Sequence, residues 1–159
     1  MEYTWNDRVL LGWIAGLLGL ITRDVYSFLA KIVGLAKFYV WDISTDLFIN
    51  GKEVHTILGN VIGITADLIF GGILGILFAY FLKMTSSKYL ILKSLGFGVV
   101  AWLFLFGLML HNLPMVKTAP GDALSNFSAF IGHSIFGIST GVFMKKLLAK
   151  YGLLSDRGR

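Results

Sequence analysis

Cysteine is absent from all 159 residues, which excludes disulfides, thiolate metal sites and iron–sulfur ligation. Charge is scarce too. Asp, Glu, Lys and Arg make up 14 % of the chain, whereas soluble domains carry charge at about a quarter of positions. Proline occurs twice, at Pro114 and Pro120, where it fits helix termination. Also missing are a nucleophile elbow, a zinc-protease helix motif, a phosphate loop and a dinucleotide fingerprint, so the chain is not expected to be an enzyme. A membrane-embedded hydrolase using paired carboxylates needs a second buried acid besides Asp67, and Asp24 is the one candidate. No cofactor or metal site is expected.

What is present is apolar. Hydrophobic residues make up 56 %, and the mean hydropathy is +0.76. A membrane span takes ~20 mostly apolar residues. Four segments meet or approach that, at about 9–29, 54–82, 89–113 and 122–144. The expected fold is an all-α integral membrane protein, a single domain over 1–159 built as a four-transmembrane-helix bundle. Net charge is +5, but the basic residues cluster at span ends, where anionic headgroups and not nucleic acid are the partner.

Three regions refine this outline. The first helix is expected to run through Arg23-Asp24 to about Leu29, with that pair near the outer boundary, Asp24 turned inward and Arg23 snorkelling. Residues 36–53 mix Phe38, Tyr39, Trp41 and Phe48 with Lys37, Asp42, Asp46, Lys52 and Glu53, which suits an interfacial segment in the headgroup layer. Residues 145–159 form a basic tail. Orientation follows from the positive charges. Arg8, Lys83, Lys88, Lys93, Lys145, Lys146, Lys150, Arg157 and Arg159 fall on one side, and Lys31, Lys37, Lys52, Lys117 and Arg23 on the other. The richer side is cytoplasmic. This places both termini in the cytoplasm of a multi-pass protein in the cell membrane, of the bacterial inner-membrane kind.

An offset of 66 aligns Asn60–Gly75 with Asn126–Gly141, with identity at Asn60, Ile69, Phe70, Gly71 and Gly75. Spans one and three agree more weakly, through Leu11-Gly12-Trp13 and Leu95-Gly96-Phe97. The alignment implies two tandem helical hairpins related by a pseudo-two-fold along the membrane normal. It also makes Asp67 and His133 equivalent positions.

Small residues recur on helix faces: Gly59, Gly63, Gly71 and Gly75 on span two, Gly137 and Gly141 on span four, Gly12, Gly16 and Gly19 on span one. Such ridges let main chains approach closely. With three of four helices ridged, some ridges are expected to remain free for self-association or for docking into a larger membrane complex. A mid-span carboxylate is costly, by ~3 kcal/mol on insertion scales, and calls for a partner or a task. An ion or proton relay would use Asp67 and His133, with Asn60, Asn126 and Asp24 as further candidates. The alternative is a polar clasp that sets helix register. A mid-span carboxylate among glycines resembles the proton-carrying rings of rotary ATPases. There, however, the acid lies in the last helix of each repeat, where this chain has His133, so membership is rejected.

Two functions follow. One is a structural or accessory subunit, or a homo-oligomer, joined through glycine ridges. The other is a small proton- or cation-coupled transporter or channel using Asp67 and His133.

Overall fold

The computed structural model describes residues 5–49, 51–109 and 121–153, and every regular element among them is helical. In order these are α1 (Trp5–Ile32), α2 (Val40–Asp46), a short 3-10 helix (Gly51–His55), α3 (Ile57–Thr85), α4 (Leu90–Trp102) and α5 (Ala123–Lys150). Helix α4 passes directly into a π-helical segment, Leu103–Met109. Four helices are long and apolar enough to cross a membrane: Arg8–Ile32, Ile57–Thr85, Leu90–Leu108 and Ala123–Lys150.

Local chemistry explains several boundaries. Thr56 caps α3 by accepting from the Gly59 amide at 3.1 Å, and Asp122 caps α5 by accepting from the Ser125 amide at 2.9 Å. Lys93 donates to the carbonyls of Thr85 (2.9 Å) and Ser86 (3.0 Å), satisfying acceptors that the end of α3 leaves open. The first helix does continue through Arg23-Asp24, but that pair lies eight to nine residues from its end, deeper than the boundary position expected. The last helix runs on to Lys150, so much of the presumed tail is helix. Span three is α-helical only to Trp102, and His111, Asn112 and both prolines lie outside the described residues.

The four long helices form a curved row, α3–α1–α5–α4. Helix α1 packs along both α3 and α5, and α4 packs along α5, whereas α3 and α4 barely touch despite their short connecting turn. Phe78 and Phe97, with ring centroids 5.4 Å apart, close the gap near the end where α1 begins and α5 finishes. Close approach at the two outer seams depends on missing side chains. A Cβ on Gly16 would lie 2.8 Å from the Gly75 Cα, and one on Gly98 would lie 2.9 Å from the Gly137 Cα. Gly12 meets Gly75 and Ala79, Gly71 meets Leu20, and Gly141 meets Ser94.

The segment expected at the interface carries a helix of its own, α2. Helix α2 folds back into the bundle and packs on α3. Its Asp42 and Thr45 have no exposed surface, and Asp46 has 2 %. The Thr45 hydroxyl contacts the carbonyls of Trp41 (3.0 Å) and Gly59 (3.1 Å), and the Val40 amide donates to Ser27 on α1 at 2.9 Å. Asp42 accepts from the Tyr39 amide at 3.0 Å and lies 3.7 Å from both the Lys31 ammonium and the His55 ring. Most of these buried polar groups are hydrogen-bonded inside, which lowers the cost of burying them, but Asp42 Oδ1 has no hydrogen-bond partner among the described residues. Gly59 and Gly63 serve this packing. A Cβ on Gly63 would run into Thr45 and the Trp41 carbonyl, and one on Gly59 would meet the backbone of Val54.

Two apolar clusters result. Leu11, Ala15, Phe78, Leu82, Met144 and Leu148 pack near the end where α1 begins, and Phe38, Ile43, Phe106 and Ala129 pack near α2.

Candidate functional site

Asp67 lies ten residues into α3, His133 ten residues into α5, and Arg23 nine residues before the end of α1. At 1.5 Å per residue all three sit ~14–15 Å below the α2 end of the bundle. Convergence at one depth is therefore a consequence of where the helices start and stop.

The partner of Asp67 is Arg23. The Arg23 Nη2 donates to Asp67 Oδ2 and also to Asp24 Oδ1, at 2.8 Å for the latter, and Nε donates to the same Asp24 oxygen at 3.2 Å. Ser44, delivered by α2, donates its hydroxyl to Asp67 Oδ1 at 3.3 Å. Arg23 and Asp67 are each 4 % exposed. The expected orientation is thus reversed: Arg23 points inward instead of snorkelling, and Asp24 is held beside it. The reason is helical phase. Gly12, Gly16, Gly19 and Arg23 recur at spacings of four, three and four, so Arg23 continues the glycine stripe of α1 and must face the bundle. That spacing was the available sequence signal. Ser44 had none, because its role depends on α2 folding back.

His133 makes no direct bond to Asp67. Its Nδ1 pairs with the Ala129 carbonyl one turn earlier at 2.9 Å, and its ring stands edge-on to Phe106 with centroids 5.2 Å apart. A carbonyl can only accept, so Nδ1 carries the proton and Nε2 keeps a lone pair in the neutral ring. The two residues are linked by space. A cavity of about 270 Å³ is lined by Arg23, Ser44, Asp67 and His133, with apolar walls that include Leu20, Phe70, Leu74 and Phe136. It lies where α3 and α4 fail to pack, roofed by α2 and edged by Leu105 and Phe106 of the π-helical segment. A Cβ on Gly132 would lie 3.5 Å from the Arg23 Cγ, which brings the guanidinium stem beside the turn that carries His133.

The other candidates lie elsewhere. Asn60 accepts from the Trp41 indole at 2.8 Å and donates to the Thr56 carbonyl at 2.9 Å, helping to hold α2. Asn126 reaches back to the Asp122 carbonyl at 3.4 Å at the start of α5. Ser125 accepts from the Lys37 amide (3.3 Å) and Ser128 bonds Tyr26 (3.2 Å), so both tie α5 to the first hairpin. At the mouth of α5, the hydrogen bond from the Ser125 amide holds the Asp122 carboxyl below the usual carboxylate range. Among the described residues, no three His, Asp or Glu side chains converge as a metal site.

The chemistry of the cluster is set by its charge count. One guanidinium and two carboxylates leave one negative charge uncompensated. A buried uncompensated charge is expensive, and one proton or one counter-cation removes it. No family model, curated protein or solved structure matches the chain.

Proposed function

We propose that this protein is a small membrane carrier in which proton exchange at the Arg23–Asp67 pair is coupled to occupancy of the adjoining cavity. The observation that carries the reading is an ion pair, buried at mid-depth, that lines a cavity together with the buried His133. Ligand sites of this kind are largely apolar with a few convergent polar groups. Ionisable groups inside a span mark solute and proton pathways.

The carrier is placed in the cell membrane with both termini cytoplasmic. Large side chains left bare on the helices support insertion: Ile57 is 87 % exposed, Leu58 69 % and Leu92 68 %. Contiguous apolar surface of this extent belongs against lipid. Descent from two tandem hairpins is supported by the seams, since Gly71 and Gly75 meet α1 as Gly137 and Gly141 meet α4. The pseudo-two-fold has since been broken, because α1 packs on α5 while α3 stands apart from α4. The alternative, an accessory subunit or homo-oligomer, drew its support from unused glycine ridges. Each of Gly12, Gly16, Gly19, Gly59, Gly63, Gly71, Gly75, Gly137 and Gly141 already abuts another part of its own chain.

The test is proton movement in liposomes carrying the purified protein and a trapped pH-sensitive dye. Additions are a panel of inorganic cations, organic cations and organic anions, with protein-free liposomes as reference. At least one member should trigger protein-dependent proton movement, and Asp67→Asn should abolish it. The reading fails if no member does so, or if Asp67→Asn responds like the parent protein.

A further inference from the structure

Arg23 and His133, which both line the cavity, each keep a nitrogen with no hydrogen bond among the described residues. Arg23 carries five N–H donors. Its hydrogen bonds run from Nε and Nη2 alone, which leaves the two on Nη1 unused. His133 uses Nδ1 on the Ala129 carbonyl, which leaves Nε2 as an acceptor. The carboxylate of Asp67 is, by contrast, served at both oxygens, by Arg23 and Ser44. The vacant groups are therefore a guanidinium edge and an imidazole nitrogen. A carboxylic acid matches them, with its carbonyl oxygen accepting from Nη1 and its hydroxyl donating to Nε2.

The remaining walls are aliphatic and aromatic, so the rest of the ligand is apolar. A cavity of about 270 Å³ has room for a short aliphatic chain beyond the head group. Access is sideways. The gap between α3 and α4 opens on the flank that faces lipid in the carrier reading, and its α4 edge is the π-helical segment, a geometry that recurs at functional sites.

We infer that the cavity binds a monocarboxylic acid with a short apolar tail, entering from the bilayer between α3 and α4 and docking its head group on Arg23 and His133. The inference rests on the carrier reading and supplies its solute class. On docking, the proton leaves the acid hydroxyl along its hydrogen bond to His133 Nε2, and the resulting carboxylate accepts from Arg23 Nη1. Total charge is unchanged. Release reverses both steps.

The experiment uses octanoate labelled with ¹³C at the carboxyl carbon and the full-length protein in nanodiscs, observed by NMR, with empty nanodiscs as reference. A saturable bound resonance at one ligand per chain is expected. It should be displaced by unlabelled octanoate but not by octyltrimethylammonium, whose head group has the opposite charge. Ala66→Phe, which fills the cavity without touching the ion pair, should reduce bound octanoate at least tenfold, and Arg23→Gln should do the same. Because Arg23→Gln risks misfolding, Ala66→Phe carries the decision. No saturable resonance, equal displacement by octyltrimethylammonium, or unchanged binding in Ala66→Phe would each overturn the inference. If octanoate fails while other solutes still move protons through Asp67, the solute class is wrong and the carrier reading survives. If both fail, both fall.

Discussion

Arg23 of α1 is hydrogen-bonded to Asp67 of α3 across 44 residues of sequence, and Asp24 shares the same guanidinium. Removing one member of a buried ion pair typically costs ~3–5 kcal/mol, because the survivor is left charged and unpaired. The three partners are not equivalent here. Arg23→Leu strands two carboxylates and should cost the full amount. Asp67→Leu leaves Arg23 neutralised by Asp24 and should cost less than half as much. Chemical unfolding of the detergent-solubilised protein gives the order. Equal losses in the two variants would refute the shared-guanidinium account.

The glycine seams predict a contrast between neighbours. Gly98 abuts the backbone of α5, whereas Gly96, two residues earlier, has nothing within 4 Å of where a Cβ would sit. Gly98→Leu should destabilise the fold by ~1–3 kcal/mol through overpacking. Gly96→Leu should leave it within ~0.5 kcal/mol of the parent. Melting temperatures of the two variants, read side by side, are sufficient. Gly16→Leu should behave like Gly98→Leu, since the seam between α1 and α3 is equally tight.

The turn between α3 and α4 carries backbone strain. Ser86 sits at φ 81°, ψ 164°, and Tyr89 at φ 55°. The first of these regions is essentially restricted to glycine and costs a side chain ~1–3 kcal/mol. Ser86→Gly should therefore raise stability by ~1 kcal/mol, the low end of that range, since glycine also gains freedom in the unfolded chain. A variant that melts at a lower temperature than the parent would contradict the assignment.

Asp122 titrates outside the spans, and the sign of its pH effect follows from its cap. Its carboxyl is held below the ordinary value of 3.8, chiefly by the Ser125 amide. A group depressed in the folded state contributes stability above its unfolded pKa and loses it as the pH falls through the folded value. The first turn of α5 should therefore loosen only below about pH 3.8. Amide exchange at Ser125, followed down the pH scale and corrected for intrinsic rates, should accelerate there. In Asp122→Ala the acceleration should already be present at neutral pH, while Asp122→Asn, which keeps a cap acceptor, should resemble the parent.

Legibility in the sequence varied with the range over which each feature is decided. The number of long apolar helices, the positions of the glycines and the Asp122 cap are local, and each could be read from residues within a few turns. Asp67 stood out for the same reason, as an acid inside an apolar run. Its partner was harder to see. Both Arg23 and Asp24 occur in the same helix, and choosing between them required the phase of α1 relative to α3, which the stripe from Gly12 through Gly19 carries.

Composition alone determined that this chain forms long apolar helices with few charges and that one carboxylate lies deep within them, because helix length and hydropathy are summed along the chain. Tertiary structure decided what that carboxylate meets. Folding α2 back onto Gly59 and Gly63 brings Ser44 to Asp67 and turns a segment that reads as interfacial into a roof. Separation of α3 from α4 leaves a cavity where a closed bundle would have packed side chains. Both outcomes depend on which helix faces meet across long sequence distances, and hydropathy along a single segment has no information about its neighbours in space.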